Sequence, residues 1–257
     1  MENAPSRWRF ALKNAAWHLL ISLILAGLAA LLVFKVWYPF PYAELTGGLA
    51  LYKLVVAVDV VCGPLLTLVL ASPKKSLRER IVDFSLVGLI QLAALIYGLY
   101  SVSLARPVVA AFEQDRINVV TAAEVVAEQL PQAPQGLQQL SWTGVQRVGL
   151  REAKNTEEAN KSLDWSLQGI EPSMRPAWWL PDDDAERAKI RRHMKPIAAL
   201  AALRGRSEAD ILKQAGVQGE GTWFYLPFTS AKEKDWVVIL DPNADFAGFA
   251  PISGFKE

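Results

Sequence analysis

Two polar side chains inside long apolar stretches carry the most informative chemistry of this sequence. Asp59 lies near the middle of the stretch Leu54–Ala71, and Gln91 near the middle of Ile81–Leu104. A carboxylate in hydrocarbon costs at least ~2.5 kcal/mol on insertion scales unless it is protonated or paired. Counting a helical rise of about 1.5 Å per residue places both residues at similar depth, so we expect them to hydrogen-bond. Lys35 is a competing partner, although its long side chain can reach the membrane surface instead.

Asp59 therefore has two interpretations. In the functional one its carboxylate contacts a helix of another membrane protein. In the structural one it locks this helix bundle together.

A helix-bending pair, Gly63-Pro64, follows Asp59 in the same stretch. Proline removes a backbone donor and clashes with the preceding turn, so the sequence predicts a kink. The carbonyl that loses its donor needs another, and Thr67 or Cys62 could supply it. We favour a kink that serves helix packing over one that acts as a conformational switch.

Motifs that carry catalysis or bind metals are absent from the sequence. It has no nucleophile elbow, phosphate loop, dinucleotide fingerprint or metalloprotease motif. His18, His193 and Cys62 are too few for a zinc site. We therefore expect neither an enzyme nor a cofactor, and we interpret His193 as a solvated helix residue. The near-neutral charge of +1, with no basic stripe, predicts no nucleic-acid binding.

Two short motifs in the second half have competing interpretations. The run Asp182-Asp183-Asp184 suits a helix N-terminus through the helix dipole, and it lacks the spaced ligands and glycine turn of a calcium loop. Trp178-Trp179 lies between two prolines. Its amphipathic rings suit either an interface or the core of the domain.

Three apolar stretches near the N-terminus predict transmembrane helices at about 15–37, 52–71 and 81–104. The alternative for the first is a cleaved signal peptide. Its apolar stretch is longer than usual, and it runs into Trp37-Tyr38-Pro39 instead of a small-residue cleavage site. We expect the lipid bilayer to be one partner of the chain.

Orientation follows from the positive-inside rule. Basic residues precede the first helix and fill the second loop, whereas the loop 38–50 has none. The N-terminus is therefore expected in the cytoplasm, and the first loop and everything after Arg106 outside. Trp37, Tyr38 and Tyr42 are then expected at the outer headgroup level, where such aromatics concentrate.

The fold class predicted is an N-terminal three-helix transmembrane bundle, residues 1–105, followed by a C-terminal extracytoplasmic α+β domain, residues 106–257, with an antiparallel sheet. Five strands are expected at 108–112, 117–120, 145–150, 222–228 and 236–240, with a further extended segment at 246–252. Helices are expected at 122–130 with Thr121 as cap, after Asn155, after Asp182, from Pro196 and after Ser207.

The membrane half resembles the TfpX/TfpZ family of type IV pilin accessory proteins. The resemblance rests on Trp37-Tyr38-Pro39, on Val58-Asp59-Val60-Val61 followed by Gly63-Pro64-Leu65-Leu66-Thr67, on the segment 91–98 and on Arg106-Pro107. It implies a non-enzymatic factor in the bacterial inner membrane that assists pilin stability, assembly or pilus extension. It also implies contact with the membrane helix and periplasmic head of a type IV pilin, and with other pilus assembly components.

Two further functions are open at this stage. A membrane-anchored periplasmic ligand-binding or sensory module would need a pocket in the outer domain. Its cytoplasmic segments are short, which argues against signalling. A membrane enzyme ranks behind it because no catalytic motif is present. The candidate partner-binding or bundle-locking residues are Asp59, Gly63, Pro64, Gln91, Lys35, Trp178 and Trp179.

Overall fold

The computed structural model describes residues 7–256 as two compact units. The first contains residues up to Pro39 together with Gly47–Leu104. The second contains the short segment Phe40–Thr46 and everything from Ala105 onward. The segment between the first two long helices therefore belongs to the second unit, which the sequence did not indicate.

Four helices occupy the first part of the chain: α1 (Arg7–Leu31), α2 (Tyr42–Leu45), α3 (Gly48–Leu70) and α4 (Leu77–Leu104). A π-helical segment, Leu32–Trp37, continues α1. Within the described residues, three helices are long and apolar enough to cross a membrane, namely Arg7–Trp37, α3 and α4. Their apolar side chains and internally paired backbones suit hydrocarbon, where a lipid-exposed unpaired peptide group is very costly.

Small residues let the three long helices approach one another, with α3 packed against both α1 and α4. The buried side of α1 carries Ser22, Ala26 and Ala29. On α4, a Cβ at Gly98 would lie 2.7 Å from both Cγ atoms of Val55. Small residues at helix contacts are the usual packing device in membranes, because lipid supplies no hydrophobic force between helices.

The second unit is built on one mixed sheet of eight described strands. They are β1 (Pro107–Glu113), β2 (Arg116–Thr121), β3 (Gln146–Leu150), β4 (Trp179–Pro181), β5 (Lys195–Pro196), β6 (Phe224–Ser230), β7 (Trp236–Leu240) and β8 (Phe246–Ala250). The order is β4-β3-β1-β2-β6-β7-β8, and β5 pairs with β6. The predicted α+β class is confirmed, and the closing strands β6, β7 and β8 are antiparallel as expected, but the sheet as a whole is mixed. β1 runs parallel to β3, and β2 parallel to β6, because long connections return the chain to the same end of the sheet.

Helices α5 (Thr156–Leu167), α6 (Asp184–His193), α7 (Ile197–Arg204) and α8 (Glu208–Gln214) accompany the sheet. Asn155, Asp183 and Ser207 cap three of them through side-chain oxygens. The helix predicted at 122–130 is wrong. Glu124 does accept from the backbone and hydroxyl of Thr121, but the chain then turns into a 3-10 helix, Ala127–Gln132. Pro131, which cannot donate a helical hydrogen bond, lies inside it.

The core of the second unit includes two residues from the segment Phe40–Thr46. Leu45 is fully buried, and Tyr42 packs in the same cluster as Phe228 and Leu226. The Ser230 hydroxyl donates to the Leu45 carbonyl at 2.6 Å. Tyr42 was predicted at the headgroup level of a membrane. Its ring is instead buried by apolar partners of the second unit, and its depth relative to the membrane stays a prediction.

Candidate functional site

Gln91 contacts Asp59, but through the backbone. Its Nε2 donates to the main-chain carbonyl of Asp59 at 2.8 Å. The sequence predicted the pairing of these residues across α3 and α4, and here it is an amide-to-backbone hydrogen bond. That carbonyl lies one turn before Pro64, where a proline disturbs the helical hydrogen bonds. The carbonyl that loses its helical donor at Pro64 is that of Val60, four residues before it, so a supporting donor from Thr67 or Cys62 stays a prediction.

Gly63 makes room for the Gln91 side chain. A Cβ at Gly63 would lie 2.0 Å from Gln91 Nε2, closer than any real Cβ contact. Pro64 follows within an otherwise continuous helix. Gly63, Pro64, Asp59 and Gln91 therefore form one constellation, in which the glycine admits the amide that supports the backbone beside the proline.

The Asp59 carboxylate is not used in that hydrogen bond. Among the described residues it accepts no hydrogen bond, and its interaction with His18 is coulombic only. A hydrogen bond of 2.5 Å joins Nδ1 of His18 and Oγ1 of Thr67. The Asp59 residue is 9% exposed. Lys35 is exposed on the π-helical segment and forms no ion pair with Asp59, so the competing lysine partner is not supported by the geometry.

The side of α3 next to this constellation is open. Val58 and Val61 are about half exposed, and the free thiol of Cys62 is exposed. Apolar side chains here suit either lipid or a helix of another membrane protein. The constellation therefore lies beside a surface that a membrane partner can reach.

The two neighbouring tryptophans have different environments. Trp179 is 1% exposed, lies in β4, and donates from Nε1 to the Ser173 carbonyl at 2.8 Å. Trp178 is half-buried, with the guanidinium carbons of Arg151 and Arg175 at 4.4 and 4.9 Å from its ring centroid. Trp179 is thus a core residue, and Trp178 is the member of the pair that borders open space.

Trp178 borders a cleft of about 510 Å³ in the second unit, hereafter the α5 cleft. Helix α5 forms one wall of it, and the 3-10 helix with Gln129 and Gln132 contributes another part. Glu158 of α5 receives two hydrogen bonds from Arg151, at 2.7 and 3.0 Å. These bonds, with one from the Lys154 backbone, lower the pKa of Glu158 to about 2.

The acidic run 182–184 lies at the start of helix α6 and also takes part in ion pairs. The Asp183 side chain accepts from the backbone of Ala185 and Glu186, each at 3.0 Å. Asp182 bridges Arg147 and Arg187 at 3.4 and 3.2 Å. The predicted helix-dipole arrangement is present, since α6 begins at Asp184.

A buried carboxyl also lies in the second unit. Glu113, 8% exposed at the end of β1, accepts from Asn118 Nδ2 at 3.4 Å. Burial raises the pKa of Glu113, and hydrogen bonds from Ser173 and Asn118 partly offset the rise. His193, in contrast, is exposed on α6 and bonds the Lys189 carbonyl at 2.8 Å.

Sequence reasoning missed the pairing of His18 with Thr67 and the grouping of cations around Trp178. The first could have been found by depth counting, because both are polar residues in apolar helices of opposite direction. The second joins residues brought together by sheet topology, and no local pattern indicates it.

Comparison with known proteins places the chain among fimbrial assembly proteins. A family model described as fimbrial assembly protein FimB matches residues 6–47. The chain is 39% identical over 254 residues to the fimbrial assembly protein, serogroup I, of Dichelobacter nodosus, covering 97% of this chain and 98% of that protein. The serogroup E1 protein of the same organism is 38% identical with the same coverage. No solved structure matches the chain at a significant level.

Proposed function

From the premise that the chain belongs to the fimbrial assembly protein family, we propose that it is a non-enzymatic accessory factor for type IV pilin at the bacterial inner membrane. In this proposal it holds a pilin subunit in the membrane and so assists pilin stability, assembly or pilus extension. The N-terminus is cytoplasmic and the second unit periplasmic, as the positive-inside rule predicts. A closer relation to the TfpX/TfpZ accessory proteins is part of the same proposal.

The observation that carries the proposal is the uncommitted carboxylate of Asp59. The bond that joins α3 to α4 here uses the Asp59 backbone, so bundle locking does not need the side chain. An ionisable group at membrane depth is costly and by default indicates a functional site. A donor on the membrane helix of a pilin would satisfy it.

Two weak contacts can hold one pilin subunit firmly. A pilin that keeps an apolar helix in the membrane and a globular head outside could meet α3 with the helix and the second unit with the head. Each contact then raises the effective concentration for the other, so neither has to be strong. Weak contacts also allow release when the subunit joins a growing pilus.

The substitution Asp59→Asn tests the proposal, with Asp83→Asn as a matched control. Asp83 pairs with Lys75 near the start of α4, so the control makes the same chemical change away from the constellation. A hydrogen bond between membrane helices contributes about 0.6–1.7 kcal/mol. We therefore expect the amount of pilin captured by Asp59→Asn to fall about three- to eighteenfold, with unchanged amounts of the accessory protein.

Crosslinking through Cys62 measures the capture directly, because it is the single cysteine of the chain and lies on the open side of α3. A bifunctional thiol reagent and a pilin with one cysteine in its membrane helix should give a heterodimer band. Surface pili should fall with that band, while pilin transcription stays constant. No band with the native protein, or equal bands for native and Asp59→Asn, would contradict the proposal.

A membrane-anchored ligand-binding or sensory module is the second candidate, favoured by a cleft of about 370 Å³ lined by Phe112, Trp178 and Lys189. It predicts that deletion of the gene leaves surface pili unchanged. The accessory role predicts their loss, so this measurement separates the two functions.

A further inference from the structure

The α5 cleft contains a buried cation without an ion-pair partner. Arg175 is 3% exposed, and the described acceptors of its guanidinium are neutral oxygens: the Glu171 carbonyl at 3.2 Å, the Ser162 hydroxyl at 2.9 Å and the Ser162 carbonyl at 3.5 Å. Among the described carboxylates none forms an ion pair with it, and Glu113, Glu171 and Glu158 act only at longer range. A buried charge without a partner is costly, and an anionic ligand would reduce that cost.

The α5 cleft is lined mainly by cations, although the region of the chain that forms it is acidic overall. Residues 106–257 carry 18 Lys and Arg against 21 Asp and Glu, a net charge of −3. The lining of the cleft is positive instead. It contains one carboxylate, Glu158, and four cations: Arg151, Lys154, Lys161 and Arg175. A concave surface of one charge sign concentrates field and attracts ligands of the opposite sign.

The free charges of the cleft come from well-separated positions of the backbone. Arg151 is already occupied by Glu158. The ammonium groups of Lys154 and Lys161 have no partner among the described residues, and both side chains are exposed. Lys154 lies two residues before α5 and Lys161 lies within it, so the helical part from Thr156 alone separates them by about 7.5 Å. Two carboxylates three residues apart on a polyproline II peptide lie on one face of it, about 9 Å apart.

The neutral groups of the cleft also suit a peptide. Gln129 Oε1 is buried without a hydrogen-bond partner, and Gln129 lies in the lining. This acceptor requires a donor, which a peptide N–H supplies and a carboxylate ion does not. The Trp178 ring is already in contact with two guanidinium groups, so it is poorly placed to stack on a sugar.

We propose that the α5 cleft binds an acidic peptide segment of another protein. Carboxylates of that segment meet Arg175, Lys154 and Lys161, and a backbone N–H meets Gln129. This site goes beyond the proposed accessory function and does not depend on which protein carries the segment.

The experiment uses the full chain in lipid nanodiscs and a fluorescent peptide with an aspartate at every third position. The control probe is the same peptide with every aspartate replaced by asparagine. Binding is followed by fluorescence anisotropy at two salt concentrations. We expect the aspartate peptide to bind, and its affinity to fall as the salt concentration rises, since exposed charges are screened over about 10 Å at 0.1 M. We expect the asparagine peptide not to bind.

Two variants place the binding in the cleft. The pair Lys154→Ala/Lys161→Ala should lower the affinity for the peptide about fourfold, since each exposed ion pair contributes a factor of about two. The matched pair Lys213→Ala/Lys232→Ala removes the same charge outside the cleft and should leave affinity unchanged. Arg175→Gln should weaken binding by at least about tenfold, because bonds to a buried charge are stronger. A thermal melt establishes that this variant is folded.

Several outcomes would overturn the site. Equal loss of affinity in both lysine pairs would show only nonspecific attraction. Competition by inorganic phosphate or a neutral oligosaccharide as effective as that by the peptide would assign the cleft to another ligand class. Equal binding of the asparagine peptide would remove the role of charge.

Discussion

Different interactions stabilise the interior of each of the two units of this chain. In the most apolar windows of α3 and α4, only 11% of the residues are buried inside the protein. That unit depends on close helix approach at Gly98 and Gly63 and on single polar bonds such as Gln91 to Asp59. The second unit instead buries clusters of large side chains against its sheet, including Phe228, Leu226 and Leu45.

The difference reflects the solvent that each unit meets. Water drives large apolar side chains into a core, whereas lipid is as apolar as the side chains and gives no such drive. A change of side-chain volume should therefore act in opposite ways in the two units. Truncating a side chain should lower the stability of the second unit most, and enlarging a side chain should lower the stability of the first unit most.

The largest effect is expected for Leu45→Ala. Leu45 is fully buried in the second unit, and truncating a buried leucine costs about 2–5 kcal/mol of the free energy of unfolding. Limited proteolysis in urea, followed by blotting for the C-terminal part, measures that loss. The matched control is Leu54→Ala on α3, where the side chain is 64% exposed. Similar loss in both variants would refute a core role for the segment Phe40–Thr46.

An intermediate effect is expected from adding a methyl group to α4. In Gly98→Ala the new Cβ meets Val55 at 2.7 Å, and overpacking of this kind costs about 1–3 kcal/mol. In Gly88→Ala on the same helix the Cβ meets nothing within 4 Å, and the alanine gains up to about 1 kcal/mol in helix propensity. Thermal unfolding in detergent should move in opposite directions for the two variants. A shared direction would show that propensity, and not helix approach, decides stability.

The smallest effects concern pH and two glutamates of the second unit. The pKa of Glu158 is lowered from 4.5 to about 2, so its stabilisation is present above pH 4.5 and is lost as pH falls toward 2. The pKa of Glu113 is raised from 4.5, so stability is lost as pH rises through the higher value. At neutral pH, Glu158→Gln should lower the melting temperature and Glu113→Gln should raise it. Both differences should shrink in acid, and melts across pH test this; a constant difference for either variant would contradict the assignment.

Local features of the fold could be predicted and distant ones could not. Asn155 and Ser207 cap helices as expected, because a cap needs only its next few residues. The parallel pairing of β2 with β6 joins Ile117 to Phe228, and no local pattern specifies it. For the candidate site, helix geometry placed Asp59 beside Gln91, but the choice of the backbone acceptor depends on the space left by Gly63.

The position of Leu45 in the core also sets an order of events during biosynthesis. Its partner Ser230 lies 185 residues further along the chain. At about 5–20 residues per second, a ribosome needs roughly 10–40 s to make the intervening segment. Throughout that time Tyr42 and Leu45 lack part of the core that buries them, including Leu226 and Phe228 of β6. The segment between α1 and α3 can therefore reach its final packing only after β6 has been synthesised.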